Sequence, residues 1–325
     1  MLQLRGTFSP NPRLEPLLDG TVKATGIELQ FESGSAGDLH EMHLRDNAFD
    51  VFEFSISHYM MTREHPGKWE WTALPIFLSK AFMTLAAQTN VESGIETPQD
   101  IKGKRFGVPD YSMTAALWFR AMLRELYGTR TADNEWFIGR TKEHSHAALI
   151  GVDESLLPDN IAITWATRQG EINELLQAGK IDVAYPAGEQ VALDTSTGQL
   201  KPLFPDGGRA FVQAFVEKTG FAPVNHTVVI QRRILEKDPW VAEALFEAFE
   251  KSKQEAYRRN PAAAALFPRQ PLEGQAAIFG ADPFPSGVKA NLPMLRMATE
   301  QSVEDGLAPK PIDVEQLFWP SLRNT

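Results

Sequence analysis

Apolar and polar residues alternate over several short stretches of the chain, which predicts β-strands. Residues 2–8 (LQLRGTF) and 27–32 (IELQFE) show the period of two that is typical of half-buried strands, and 49–54 (FDVFEF) indicates a buried one. Two apolar, β-prone stretches follow at 71–78 and 81–89. Further strands are predicted at 105–108, 181–185 and 227–231.

Other stretches have helical spacing. The segment 112–127 places Ala115, Trp118, Phe119 and Met122 on one apolar face, which predicts a helix packed on a core. Asp238 followed by Pro239 marks the beginning of a long helix that runs to about residue 257. Shorter helical segments are predicted at 12–18, 37–47, 55–63, 97–101, 170–179 and 294–305.

Strands that alternate with helices predict an α/β fold with mainly parallel sheets. The order β-α-β-α-β at the beginning of the chain repeats after Gly103, which indicates two similar lobes. A cleft between two lobes is a preferred place for a small ligand, and we therefore expect a small molecule as the partner.

Composition narrows the classes of partner. The 325 residues carry a formal net charge of -10, with a sequence pI of about 5.3, which disfavours nucleic acids and anionic membrane surfaces. The chain has no cysteine, so disulfides, thiolate nucleophiles and cysteine-bound metals are excluded. The sequence shows neither a signal-peptide core nor an apolar run of about 20 residues, and a cytoplasmic location is expected. Homo-oligomerisation is left open.

Several common catalytic motifs are missing from the sequence. It has no dinucleotide fingerprint, no P-loop and no G-x-S-x-G, and the glycines Gly103 and Gly107 lie before and inside a strand rather than between a strand and a helix. His144 and His146, and His40 with His43, lack the spacing and surroundings of a metal site. We therefore predict neither a cofactor nor a metal.

Small polar residues gather where predicted strands meet helices, and in an open α/β sheet such junctions line the ligand crevice. The predicted helix at Ser112 has Ala115 where a Glu or Gln would complete a capping box, so we expect its first amides to bind a ligand carboxylate. His226 is read either as a structural histidine or as a proton-transfer group. The junction residues are Ser55, Ile56, Ser57, His58, Tyr59, Ser79, Lys80, Tyr111, Ser112, Met113, Thr114, Asn225, His226 and Thr227.

Several segments together resemble the 4,5-dihydroxyphthalate decarboxylase family, in the same order along nearly the whole chain. They are FDVFEFSISHYMMTR, ALPIFLSKAF, IKGKRFGVPDYSMTAALWFRAML, NHTVVIQRRILEKDPWVAEALFEAFEKSK and DPFPSGVKAN. The blocks VPDYSMTAALW and HTVVI are the most specific parts. The pattern K-G-K-R-x-G-V-P also occurs in plain solute-binding proteins of the same fold.

The resemblance implies the type II periplasmic-binding-protein-like fold, with two lobes, an interlobe cleft and two crossover strands near 82–90 and 222–231. Lobe one would comprise 1–85 and 230–325, and lobe two 86–229. In that arrangement Ser112 would face Ser57 and Ser79 across the hinge.

The resemblance also implies a function: a cofactor-independent carboxy-lyase for a hydroxylated aromatic acid, in aromatic compound catabolism and phthalate degradation. In that site His226 or His58 would be the proton donor. The amides of Met113 and Thr114 and the hydroxyls of Ser112 and Thr114 would bind a carboxylate, and Lys80 and Arg13 would bind a second anion. Tyr111 or Trp118 would stack on the aromatic ring, and the site would be lined by Ser57, Ser79 and Asn225.

Two alternatives stay open. The same cleft would serve a non-catalytic solute-binding protein for a small organic acid. The chain also departs from the family at Met83 and Thr84, where the family carries basic residues, which indicates a mono-acid or a smaller aromatic acid as substrate.

Overall fold

A computed structural model describes residues 1–65, 67–151, 159–168, 170–185, 198–204, 206–266 and 272–325 of the chain. The chain divides into two compact units. Unit 1 comprises Met1–Ala81, Phe221–Arg296 and Ile312–Thr325, and unit 2 comprises Phe82–Gly220 and Met297–Pro311.

The strands and helices alternate along much of the chain. The strands are β1 (Leu2–Phe8), β2 (Ile27–Ser33), β3 (Val51–Ser55), β4 (Trp71–Lys80), β5 (Gln88–Asn90), β6 (Arg105–Val108), β7 (Glu135–Ile138), β8 (Ala162–Trp165), β9 (Val183–Ala184), β10 (Leu200–Pro202) and β11 (Val224–Gln231). The α-helices are α1 (Glu15–Leu18), α2 (Ala36–Asp46), α3 (Ile56–Arg63), α4 (Thr114–Tyr127), α5 (His146–Ile150), α6 (Glu171–Gln177), α7 (Arg209–Thr219), α8 (Arg232–Lys237), α9 (Val241–Arg259), α10 (Leu272–Phe279) and α11 (Leu292–Glu304).

Short 3-10 helices connect these elements. They span Pro12–Leu14, Met83–Ala86, Val91–Ser93, Pro98–Ile101, Thr131–Asp133, Lys142–His144, Pro261–Ala264, Lys289–Asn291, Val314–Leu317 and Pro320–Leu322. Among the described residues, no helix is both long enough and apolar enough to span a membrane.

The sheet of unit 1, as far as its residues are described, has the strand order β2-β1-β3-β11-β4. Strand β1 runs parallel to β2 and β3, whereas β11 runs antiparallel to β3 and β4. The carboxyl ends of β1, β3 and β4 therefore lie at the same edge of the sheet as the beginning of β11. One face of this sheet packs on α9 through a core that includes Leu4, Val228, Leu245 and Phe249.

In unit 2 the described strands form a second sheet in the order β10-β5-β9-β6-β7-β8. Strands β9, β6, β7 and β8 are parallel, and β5 is antiparallel to its two neighbours. The amphipathic helix α4 covers β6 and β7, with the Phe106 ring 5.0 Å from the rings of both Phe119 and Trp136. The mixed α/β architecture that the sequence predicts is confirmed.

The structure differs from the predicted elements at two informative places. The stretch 81–89 was predicted as one strand, but residues Met83–Ala86 form a 3-10 helix and only Gln88–Asn90 pair in a sheet. The chain passes from unit 1 to unit 2 between Ala81 and Phe82, so the stretch does not lie in a single sheet. Strand β11 is longer than predicted, beginning at Val224, because it has a pairing partner on each side.

The observed division of the chain also differs from the predicted lobes. Residues 221–229 belong to unit 1, since β11 is an interior strand of its sheet. Residues 297–311 belong to unit 2, since Asp305 forms an ion pair with Arg120 of α4. The chain thus passes between the units at four points, where the resemblance implied two crossover strands.

Candidate functional site

The candidate site of unit 1 lies at the sheet edge where β1, β3 and β4 end and β11 begins. In register, His226 of β11 lies opposite Ser55 on one side and Ser79 on the other, and Val224 lies opposite Lys80. The fold therefore brings together residues that the sequence carries more than 140 positions apart, as the junction argument predicts. We call this group, Ser9, Glu53, Ser79, Lys80 and His226, the unit 1 edge site.

A buried carboxylate orients His226. The Nδ1 atom of His226 lies 2.6 Å from Oε1 of Glu53. The other oxygen of Glu53 accepts from the amide of Ser9 at 2.8 Å and from its hydroxyl at 2.5 Å. Burial acts to raise the pKa of the Glu53 carboxyl, but His226 and Ser9 outweigh it, so this pKa lies below its ordinary value. Glu53 is therefore an ionised acceptor, and the hydrogen on Nδ1 of His226 is directed at it.

This arrangement assigns the remaining nitrogen of the imidazole. Because Nδ1 donates to Glu53, Nε2 is the nitrogen left to exchange a proton with a ligand. The His226 side chain keeps 19% of its surface exposed, whereas that of Glu53 keeps 2%. The ring of His40, on α2, packs edge-on against the His226 ring with centroids 4.8 Å apart and limits its rotation.

Lys80 lies at the end of β4 and is 5% exposed. Its Nζ donates to Oδ1 of Asn291 at 2.7 Å, and it lies 5.8 Å from the centre of the Phe77 ring. Burial lowers the pKa of Lys80 from 10.5 to about 7. A lysine in this environment exchanges a proton near neutral pH.

Arg13, the other predicted anion-binding cation, uses its guanidinium for contacts within unit 1. Its Nη1 donates to the carbonyl of Ala263 at 2.7 Å, and its Nη2 to that of Leu78 at 2.8 Å. The guanidinium lies 3.7 Å from the centre of the Phe284 ring. Burial lowers the pKa of Arg13 to about 10. These contacts make Arg13 a clamp between β4 and the segment after α9.

The other predicted residues of unit 1, Ser57, His58 and Asn225, lie beside this edge and are buried. Ser57 and His58 belong to the first turn of α3, directly after β3, and His58 is 1% exposed. The hydroxyl of Ser55 caps α3 by accepting from the amide of His58. Asn225 is buried, and its Nδ2 donates to the carbonyl of Ala81 at 3.3 Å.

In unit 2, the predicted vacant amide of Ser112 is occupied by the protein. Oδ1 of Asp110 accepts from the Ser112 amide at 2.9 Å and from the Ser112 hydroxyl at 2.7 Å. Oδ2 of Asp110 accepts from the amide of His146 at 2.9 Å. The expectation that Ser112 opens a helix with an uncapped amide is therefore wrong: α4 begins at Thr114, after a turn held by Asp110, and Met113 is its N-cap residue.

The aromatic residues predicted to stack on a ligand ring lie in the interior of unit 2. The hydroxyl of Tyr111 donates to the carbonyl of Asp305 at 2.9 Å, and the Arg120 guanidinium lies 4.4 Å from the centre of its ring. Trp118 is 1% exposed on the apolar face of α4. Thr114 is buried and Met113 half-buried at the beginning of the same helix.

Sequence reasoning missed Glu53, Ser9 and Asn291. Glu53 carries a visible signal, because it is the one charged residue inside the apolar stretch VFEF, and a buried carboxylate needs partners. Asn291 ends the segment DPFPSGVKAN, whose chemistry the sequence does not indicate. Within the described part of the chain, no three His, Asp or Glu side chains converge as metal ligands would.

Comparison with known proteins finds similarity to two decarboxylases. No protein-family profile matches it. It is 28% identical over 325 residues to the 4,5-dihydroxyphthalate decarboxylase of Comamonas testosteroni, covering 98% of this chain and 97% of that protein. It is 30% identical over 170 residues to the 4,5-dihydroxyphthalate decarboxylase of Pseudomonas putida, covering 52% of this chain and 64% of that protein. The resemblance seen in the sequence is confirmed.

Solved structures identify the fold. The periplasmic aliphatic sulphonate binding protein SsuA of Escherichia coli matches with a TM-score of 0.55 and 15% identity, covering 99% of both chains. A mutant of DSZB in complex with biphenyl-2-sulfinic acid matches with a TM-score of 0.52 and 15% identity, covering 99% of this chain and 97% of that one. The periplasmic-binding-protein-like fold predicted from the sequence is thereby confirmed.

Proposed function

We propose, from the premise that this chain is similar along 98% of its length to the 4,5-dihydroxyphthalate decarboxylase of Comamonas testosteroni, that it removes CO2 from a hydroxylated aromatic acid without a cofactor. The similarity to decarboxylases supports an enzyme of the carboxy-lyase type. We add to this a class of substrate, independence of a cofactor and roles for individual residues. A substrate like 4,5-dihydroxyphthalate would give the enzyme a place in phthalate degradation.

The reaction has one main chemical difficulty. Direct loss of CO2 from an aromatic ring would leave an aryl carbanion, which is very unstable. A hydroxyl group para to the carboxylate avoids this, because its electrons allow the carboxylate-bearing carbon to be protonated first. The carbon–carbon bond then breaks, CO2 departs with its oxygen atoms, and the bonding electrons restore the aromatic ring. The site needs an acid near that carbon and an acceptor near the hydroxyl.

The single observation that supports this assignment is the Ser9–Glu53–His226 chain of hydrogen bonds. Glu53 stabilises a proton on the imidazole and sets its orientation, so that Nε2 donates to the ring carbon as a general acid. Ligand binding alone needs no proton donor, whereas protonation of the ring carbon needs a positioned acid. His226 is the preferred donor of the two predicted histidines, because its side chain is partly exposed while His58 is buried.

The remaining assignments of the site are also part of the proposal. In the ladder of the unit 1 edge site, Ser79 lies opposite His226 and Lys80 lies opposite Val224, and both would contact the substrate's oxygen atoms. The binding of a carboxylate by the segment Ser112–Thr114 stays a prediction. The Ser112 amide donates to Oδ1 of Asp110 and the Met113 amide donates to the Asp110 carbonyl at 3.4 Å, so any such role would use other groups of the segment. A cytoplasmic location likewise stays a prediction.

The test is the release of CO2 from defined acids. Purified protein, dialysed against a chelator and given no cofactor, is incubated with 4,5-dihydroxyphthalate and with mono-carboxylic hydroxybenzoates, and gas and products are measured. In D2O the product should carry deuterium at the carbon that lost the carboxylate, detected by proton NMR. Stoichiometric binding of these acids by calorimetry without any release of CO2 would support a solute-binding protein instead.

A further inference from the structure

Lys80 is a buried cation with unusually few partners. Among the described residues, no carboxylate lies within ion-pair distance of the Lys80 Nζ. Its hydrogen bond goes to Oδ1 of Asn291, an uncharged amide oxygen. An ammonium group carries three donors, so the contact with Asn291 uses one of them. Burying a charge without a carboxylate is costly, and such a group at a ligand edge calls for a role in chemistry.

The neighbouring Lys253 shows what a structural lysine looks like in the same unit. Its Nζ contacts Oε1 of Glu250 at 2.9 Å and Oδ2 of Asp282 at 2.7 Å, and it donates to the carbonyl of Phe284 at 2.8 Å. Lys253 is thus neutralised and fully hydrogen-bonded. Lys80 has a neutral amide where Lys253 has two carboxylates.

Asn291 is held so that its oxygen must face Lys80. Its Nδ2 donates to the carbonyl of Pro285 at 2.9 Å and to that of Gly287 at 2.8 Å. These two bonds fix which end of the amide is oxygen, because an exchanged amide would place an oxygen against two carbonyls. Asn291 therefore orients the Lys80 amine without adding a negative charge that would keep it protonated.

We propose that Lys80 is the catalytic base that accepts the phenolic proton of the substrate, and that Asn291 is its positioning residue. This inference rests on the proposed function. The neutral amine of Lys80 takes the hydrogen of the hydroxyl: the O–H bond breaks, an N–H bond forms, and the electron pair stays on oxygen. His226 then protonates the ring carbon and CO2 leaves. Lys80 returns its proton to the phenolate, and water reprotonates His226.

The charges around the two residues support opposite roles. Burial lowers the pKa of Lys80 to about 7, Asp282 acts to raise it, and Lys253 acts to lower it. His226 has an ionised carboxylate on its Nδ1. A buried amine that contacts a neutral amide and an imidazole that contacts a carboxylate are two titratable groups in different environments, the pattern that marks the base and the acid of a site.

The first experiment compares two replacements of Lys80. Lys80→Arg keeps a positive charge, but a guanidinium stays protonated and accepts no proton. We expect Lys80→Arg and Lys80→Met both to lower kcat by about 10²–10⁴-fold, the usual contribution of general acid–base catalysis. Lys251→Arg, at an exposed position of the same unit, is the matched control. If Lys80→Arg keeps its turnover while Lys80→Met only raises KM, Lys80 is an anion anchor and the proposal is wrong.

The second experiment reads the positioning residue through pH. Asn291→Asp places a carboxylate on the Lys80 amine, which raises the pKa of Lys80, so the acid limb of kcat/KM should move up by about one pH unit or more. Asn324→Asp adds the same charge at an exposed position and should not move the limb. An unchanged acid limb in Asn291→Asp would contradict the positioning role.

A third measurement separates this proposal from the proposed function. NMR of protein labelled at the lysine side-chain carbons should show one resonance that titrates near pH 7, disappears in Lys80→Arg and titrates at higher pH in Asn291→Asp. If CO2 is released but this titration and the Lys80→Arg defect are missing, the role of Lys80 alone is wrong. If none of the hydroxylated acids releases CO2, both proposals are wrong, regardless of the pH at which the Lys80 resonance titrates.

Discussion

Oε1 of Glu53 lies 2.6 Å from Nδ1 of His226, across two adjacent antiparallel strands. Because His226 lies opposite Ser55 in the ladder, Glu53 is its diagonal neighbour on the same face of the sheet, a separation that long side chains bridge. The pairing of β3 with β11 thus determines which carboxylate His226 meets.

We expect Glu53→Gln to lower kcat by about 10²–10⁴-fold, because a neutral amide neither stabilises a proton on His226 nor fixes its tautomer. The amide oxygen is still able to accept from Ser9, so the fold should persist. Steady-state kinetics with 4,5-dihydroxyphthalate, beside a urea unfolding curve, give the result. Glu53→Asp, which keeps the charge but shortens the reach, should lose less; equal activity of Glu53→Gln and the wild type would contradict the dyad.

The two histidines predicted as donors should behave differently. His226→Ala should lower kcat by about 10²–10⁴-fold with a similar KM, because the proposed mechanism assigns the proton transfer to this partly exposed imidazole. His58→Ala empties a buried position in α3 and should lower the free energy of unfolding more than it lowers turnover. Single-turnover kinetics and unfolding of both variants decide the matter. Full turnover in His226→Ala would remove it from the mechanism.

Lys80→Met should make the protein more stable near neutral pH while it inactivates it. The pKa of Lys80 is about 7 in the folded protein, below the ordinary 10.5, so the unfolded chain binds the extra proton between these values. Wild-type stability should therefore rise as the pH increases from 7 to 10.5, at about 1.4 kcal/mol per pKa unit.

The advantage of Lys80→Met should be largest at or below pH 7 and should shrink toward pH 10.5. Urea midpoints across this range measure it, with Lys251→Met at an exposed position as the control. If the difference in unfolding free energy between Lys80→Met and the wild type does not depend on pH, burial does not lower the pKa of Lys80 and this prediction is wrong.

His43 should destabilise the folded protein in mild acid. It is fully buried on α2, stacked on Phe52 with ring centroids 3.6 Å apart, and burial lowers its pKa from 6.5 to about 3. The unfolded chain therefore binds a proton below pH 6.5 that the folded protein rejects, and stability falls as the pH decreases from 6.5 toward 3.

His43→Phe should remove this acid sensitivity, with a gain of about 2 kcal/mol at pH 5 and little at pH 7. Urea unfolding at the two pH values measures the gain. His144→Phe replaces an exposed histidine and should leave the pH dependence as it is. The account is wrong if His43→Phe and the wild type lose stability equally between pH 7 and 5.

The buried ion pair of unit 2 should matter for stability. Arg120 and Asp305 lie 2.8 Å apart, with side chains 1% and 0% exposed, and Asp305 also accepts from Thr131 and Gln301. Arg120→Met leaves a buried carboxylate without a cation and should cost about 3–5 kcal/mol of unfolding free energy. Arg124→Met, one turn further along α4 and partly exposed beside Glu304, should cost about 1 kcal/mol or less. Similar losses in the two variants would contradict this prediction.

The sequence by itself determined the elements and the junctions of this protein. Periodicity identified β1, β3, β6, α4 and α9, because burial of one face is a local property of a strand or helix. It also singled out Ser79, Lys80 and His226 as polar residues at strand ends, and the resemblance of whole segments indicated the similarity to the decarboxylases and the fold.

Only the tertiary structure decided which groups meet. Glu53 and His226 are 173 positions apart, and Lys80 and Asn291 are 211 apart. Strand pairing and packing bring them together, and no local pattern records that register. The same holds for Asp110, which holds the Ser112 amide by a local turn and the His146 amide from 36 positions away. A sequence shows where polar groups lie along the chain, but their burial and their partners, which set their charge and chemistry, arise only when the sheets form.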